Sequence, residues 1–144
     1  MVNPDAVARR LLILNECLGE LDRPEAAVPQ QLAASPLLRA AVERWLQMAI
    51  EACIDIASHA IASEGWAPPA SGKDAFLILA NHGWLTLALA QRLGRAAGMR
   101  NVLVHDYIAV DLSQLARVVE NDLGDLREFA VNVATWLGES RVNQ

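Results

Sequence analysis

Ser35-Pro36-Leu37-Leu38-Arg39-Ala40-Ala41-Val42-Glu43-Arg44-Trp45-Leu46-Gln47-Met48-Ala49-Ile50-Glu51-Ala52-Cys53-Ile54-Asp55-Ile56-Ala57-Ser58-His59-Ala60 is the stretch that decides the fold class. A serine able to accept a backbone N–H, followed by proline at the first helical position, is a helix start. From there Leu38, Val42, Trp45, Ala49, Cys53, Ile56 and Ala60 recur at steps of three and four. That spacing puts them on one apolar stripe and predicts a single helix from about 36 to 63, ending before Gly65. A second stripe is polar: Arg44, Gln47, Glu51, Asp55, Ser58 and His59 fall within a sector roughly 120° wide. Solvent is the usual occupant of such a face.

The same periodicity extends outward in both directions. Asn3-Pro4 repeats the cap-and-proline signal, and Val7, Leu11, Leu14, Leu18 and Leu21 predict a first helix from about 4 to 22. Residues 23–35, with Pro24 and Pro29, read as a loop with room for one short turn of helix. Ser71 and Asp74 form a capping pair for a short helix to about Asn81, which His82-Gly83 terminates, with His82 as a helix-end residue rather than a site. A further helix is expected from Trp84 to about 105, carrying Leu85, Leu89, Leu93 and Ala96 inward and bending near Gly98. Asp111 with Gln114 starts the last one, whose apolar face runs from Leu115 to Leu137 and stops at Gly138. Its acidic residues Glu120, Asp122, Asp125 and Glu128 read as an outer face.

Composition agrees. The 144 residues fit one domain, 1–144, able to bury around two thirds of its unfolded surface. Hydrophobic residues make up 53% and aromatics only 5%, so the apolar content is aliphatic and rich in helix formers. The expectation is an all-α, antiparallel up-and-down bundle of about four to five helices. A net charge of −5 argues against a nonspecific nucleic-acid binder with a broad basic field, and no DNA partner is expected; a local cationic cleft remains compatible with it. Of the 12 basic residues all but Lys73 are arginines, and Arg92, Arg95 and Arg100 make the strongest candidate for a phosphate-facing patch, with an ordinary solvated face as the alternative for Arg92 and Arg95. Cys17 and Cys53 lack metal-ligand spacing and read as reduced core residues; no metal or cofactor is expected. With no secretory signal pattern and no run of 18 apolar residues, the expected location is the cytoplasm, without a membrane partner.

The chemistry concentrates in Arg100-Asn101-Val102-Leu103-Val104-His105-Asp106-Tyr107. Arginine is a permanent cation whose planar fork matches phosphate oxygens. Histidine, ordinarily titrating near neutrality, can take a proton from a ribose 2′-OH or give one to a leaving 5′-oxygen. Arg100 and His105 therefore suffice for RNA cleavage without a metal, leaving a 2′,3′-cyclic phosphate and a 5′-hydroxyl. Asn101 suits holding the histidine or the phosphate, and equally suits satisfying a helix end. Five residues turn a regular helix by roughly 140°, so Arg100 and His105 would not share a face. Either the backbone departs from regular helix, or two chains meet and each contributes to a composite cleft.

The pattern R-x4-H-x-Y, with a polar residue directly after the arginine, resembles the motif of HEPN-domain ribonucleases, and among them most of all the HepT toxins. Glu43 to Ala52 followed by Asp55 to His59 is similar to that family's second helix, Asn121 to Phe129 to its tail, and the likeness covers roughly 5–138. The resemblance implies a homodimeric endoribonuclease toxin with Arg100 and His105 as catalytic residues and Asn101 supporting them. It makes Arg44, Asp55 and His59 possible lining of the cleft or the dimer seam. It also implies a partner, an MntA-type nucleotidyltransferase antitoxin, that silences the toxin by adding AMP to Tyr107. A catalytically silent HEPN binding module, or a helical adaptor for such a partner, is the rival expectation.

Overall fold

A computed structural model describes the backbone over residues 4–105 and 111–142, and the side-chain surroundings over 5–100 and 111–139. The chain folds into α1 (Pro4–Leu21), a 3-10 turn (Pro24–Ala27), α2 (Pro29–Ala34), α3 (Pro36–Ser63), α4 (Gly72–Asn81), α5 (Leu87–His105) and α6 (Leu112–Val142). There is no strand among the described residues. The expected bundle is present: five helices of ten or more residues carry it, and α2 is a short sixth.

The prolines explain where sequence and structure part. Pro24, Pro29 and Pro36 each stand in the first turn of a helical segment, where a missing N–H costs nothing, so the expected loop at 23–35 is two short helical segments. Ser35 Oγ accepts the Leu38 N–H at 3.1 Å and starts α3 as its sequence signals. In the same way Ser71 Oγ accepts the Asp74 N–H at 3.1 Å, while Asp74 reaches back to the Ala70 N–H at 2.9 Å.

α3 and α4 end alike. Gly65 and Gly83 take φ of 73° and 80°, and the next residue folds back onto its helix: Trp66 N–H to the Ile61 carbonyl at 3.1 Å, Trp84 N–H to Leu79 at 2.9 Å. Trp84 is thereby spent on closing α4, and α5 starts later than expected, capped by Thr86 Oγ1 on the Leu89 N–H at 3.1 Å. The two turns bring Trp66 and Trp84 edge to face at 5.6 Å, with His82 stacked on Trp66 at 3.5 Å and Trp136 of α6 against Trp84 at 5.0 Å. At the other terminus α6 passes Gly138 without a break and runs to Val142, so the expected stop there is not made.

The core is aliphatic with two phenylalanines: Leu14, Leu46, Ile50, Ile56, Leu79, Leu89, Leu93, Phe76 and Phe129 are essentially inaccessible, and no buried polar or charged side chain occurs among the described residues. α1 lies mainly along α3, α4 along α5, and α6 closes the bundle against α1 and α5. Cys17 and Cys53 are buried free thiols whose pKa burial pushes up, so they are poor nucleophiles.

Candidate functional site

α5 is helical from Leu87 to His105, passing Gly94 and Gly98 without interruption. The expected bend near Gly98 therefore does not break the helix, and Arg100 and His105 remain about 140° apart around it. Arg100 is half-buried where α5 meets α3, and its Nη1 donates to Glu51 Oε2 at 3.2 Å. The side chains of Asn101 and His105, and all of Tyr107, lie outside the described residues.

Around that arginine the polar stripe of α3 meets two other helices. Asp55 lies beside Arg10 of α1, whose Nε stands 4.0 Å from Asp55 Oδ2 while its Nη1 donates to the Ala6 carbonyl at 3.1 Å. Burial raises the pKa of Asp55, and neighbouring Glu51 raises it further; Arg10, His59 and Arg100 oppose this. One carboxylate thus feels a cation from α1, a histidine of its own helix and a cation from α5. His59 does not hydrogen-bond to Asp55 among the described residues; its carbonyl accepts Ser63 Oγ at 2.8 Å.

A groove of about 210 Å³ runs between α1 and α3, lined by Arg10, Ile13, Arg44, Gln47, Met48, Glu51, Ala52 and Asp55. The structure therefore brings together Arg100, Arg44 and Asp55 from the expected set, and adds Arg10 and Glu51. No local pattern points to Arg10, and Glu51 is one position among several on the polar stripe of α3; that the two border the site follows only from the packing of α1, α3 and α5. Among the described residues no three histidine, cysteine or acidic side chains are grouped so as to hold a metal.

The expected patch of Arg92, Arg95 and Arg100 divides. Arg92 turns to α6, its Nε on Asp125 at 2.7 Å and its Nη2 on Glu128 at 3.4 Å, which makes it a tie between helices rather than a phosphate ligand. Arg95 is exposed over a shallow cavity shared with Asp122 and Asp125. Asp122 and Asp125 are accordingly not a simple outer acidic face: burial, with Asp125 adding to it, pushes the Asp122 carboxyl up to about 6 against the pull of Arg95. Nor is any helix, among the described residues, long and apolar enough to cross a membrane.

Known proteins resemble the chain in sequence and in fold. An mRNA nuclease HepT of Shewanella oneidensis is 38% identical over 84 residues, which span 58% of this chain and 63% of that protein. A tRNA nuclease HepT of Aphanizomenon flos-aquae is 28% identical over 94% of this chain and 92% of its own length. Among solved structures, a tri-AMPylated HEPN toxin of Shewanella oneidensis in complex with an MNT antitoxin superposes with a TM-score of 0.82 at 27% identity, covering 94% of this chain and 99% of that one. A cytosolic protein of unknown function from Bacillus subtilis, YutE, shares the fold at a TM-score of 0.84 and 20% identity, covering 96% and 93%. The family model of HepT-like ribonucleases matches residues 14–133, nearly the whole bundle, and the chain belongs to that family.

Proposed function

We propose that this protein is the nuclease toxin of a toxin–antitoxin pair and cleaves RNA without a metal, in a cleft completed by a second copy of the chain. The observation that carries the reading is the placement of Arg100, held by Glu51 at 3.2 Å at the α3–α5 seam beside a groove lined by Arg10, Arg44 and Asp55. Its guanidinium holds two oxygens of the scissile phosphodiester. His105 takes the proton of the adjacent 2′-OH, that oxygen attacks phosphorus, and the 5′-oxygen leaves with a proton returned by an imidazole, giving a 2′,3′-cyclic phosphate and a 5′-hydroxyl. Because α5 stays helical from Arg100 to His105, two antiparallel copies related by a two-fold axis are the arrangement that lets Arg100 and His105 face one substrate.

Regulation belongs to the same reading. A nucleotidyltransferase antitoxin transfers AMP from ATP to the phenolic oxygen of Tyr107 and releases pyrophosphate; the new phosphodiester competes for Arg100 and its bulk fills the cleft. The AMPylated state of the structurally similar toxin from Shewanella oneidensis supports this assignment.

The test is cleavage of cellular RNA by the purified protein in excess chelator. His105→Ala should lower the rate on the order of 10²- to 10⁴-fold with the bundle intact by circular dichroism. Arg100→Ala should be comparably slow, and Arg100→Lys a poor rescue, since an ammonium lacks the fork. Cleavage that appears only on adding a divalent metal, or undiminished in both alanine variants, rejects the mechanism. On co-expression with the nucleotidyltransferase, intact mass should rise by one or more AMP units in the wild type and not at the Tyr107 peptide of Tyr107→Phe.

A further inference from the structure

The groove between α1 and α3 continues the Arg100 site along α3 for two turns, and its far end holds a cation that the fold does not use. Arg44 is exposed and makes no ion pair or hydrogen bond with any described residue. It stands seven residues, roughly 10 Å along the helix axis, before Glu51, the partner of Arg100. Along the groove lie an amide, Gln47, and an apolar wall of Ile13, Met48 and Ala52, with Arg10 on the opposite bank and the carboxylates of Glu51 and Asp55 toward the Arg100 end. This is a planar donor fork at either end, a surface a base can lie against, and an amide able to read a base edge.

We infer that this groove is a second nucleotide subsite, in which Arg44 holds the backbone phosphate of a nucleotide flanking the cleaved bond, Gln47 bonds its base edge, and Ile13 and Met48 seat the base. The inference rests on the reading of Arg100 as the ligand of the scissile phosphate. The competing occupant, another protein chain, is disfavoured by the short apolar wall and by the charge pattern: the two carboxylates of the lining, Glu51 and Asp55, each stand against an arginine, Arg100 and Arg10, which leaves Arg44 as the uncompensated charge. Arg44 is a binding residue in this scheme and takes no part in proton transfer, so its loss acts on affinity and on salt dependence.

The experiment measures binding of a short fluorescent single-stranded RNA to His105→Ala protein, by anisotropy between about 50 and 200 mM salt. Adding Arg44→Ala should weaken binding about tenfold and make the slope of log affinity against log salt shallower by about 0.7, the change expected for one lost phosphate contact on a single strand. Gln47→Ala should weaken binding without altering that slope. Arg127→Ala, which removes a cation already committed to Asp22, is the control and should change neither. Unchanged affinity and slope in the Arg44 variant overturn the inference. So does a variant whose sedimentation changes while its RNA binding does not, because the groove is then a protein interface. Wild-type cleavage is scored separately: if it fails while Arg44 still governs binding, the nuclease reading falls and the subsite stands; if it succeeds while Arg44 is indifferent, the reverse holds.

Discussion

Asp122 carries a pH dependence that its surroundings dictate. Its pKa rises from 3.8 to about 6 because folding removes it from water next to Asp125. A carboxyl with a folded pKa above its unfolded one favours the fold while protonated, so this contribution is fully present below about 4 and is lost as pH rises through about 6. Asp122→Asn should therefore change stability little near pH 4 and raise it by about 1 kcal/mol at pH 8, with solvent screening keeping the gain well below the unscreened shift. Denaturation midpoints at the two pH values check this, and an equal change at both would refute it. Glu51→Gln tests the aim of Arg100. The pair is partly exposed, so stability should fall by only about 0.2–1 kcal/mol, whereas kcat/KM for RNA should fall on the order of tenfold as the fork loses its orientation. Why Arg100 was legible in the sequence and its pairing with Glu51 was not is a matter of distance along the chain. The arginine belongs to a motif eight residues long, while its partner stands 49 residues away and meets it only through packing. Arg10 and Asp55 are the same case.

At the scale of elements, side-chain caps and apolar periodicity placed α3 and α4 to the residue, and α1 to within one. The misses came from residues with two uses. Proline was read as a breaker at 24 and 29, where it begins a helical segment, and Trp84 was read as the start of α5, where it closes α4. Gly138 was read as a stop, but a glycine ends a helix only when the chain turns left-handed there, and among the described residues only Gly65 and Gly83 do so. Gly98 offers a direct test of the motif's geometry. A Cβ built there meets nothing within 4 Å and its φ is ordinary, so Gly98→Ala should stabilise α5 by about 0.5–1 kcal/mol and raise Tm by a few degrees. Retained RNA cleavage in that variant would support a cleft completed by a second copy. Lost cleavage with a raised Tm would mean that the site needs α5 to flex at this point.

At the scale of the whole molecule, the aliphatic composition and the helical spacing made the all-α bundle legible, since stripes visible in one dimension supply much of the core; Leu46, Ile50 and Ile61 beside the α3 stripe, and Ala26 and Leu32 from the expected loop, complete it. Assembly was not legible in that way, because the argument for a second copy comes from an angle between two side chains rather than from an apolar face. Sedimentation at micromolar concentration should give a dimer. A monomer that still cleaves RNA would show that one chain brings Arg100 and His105 together and would end the composite-cleft account.

The four tryptophans divide unevenly along the bundle. Trp66, Trp84 and Trp136 gather where α5 begins, roughly 20 Å along that helix from Arg100, while Trp45 of α3 stands apart from them, packed against the core with its ring under the Arg23 guanidinium at 5.8 Å. Intrinsic emission should therefore be two signals in one spectrum. Three indoles follow melting of the closed end; the fourth follows the packing of the 3-10 turn on α3, and Trp45→Phe should remove that component while leaving the unfolding signal of the other three in place.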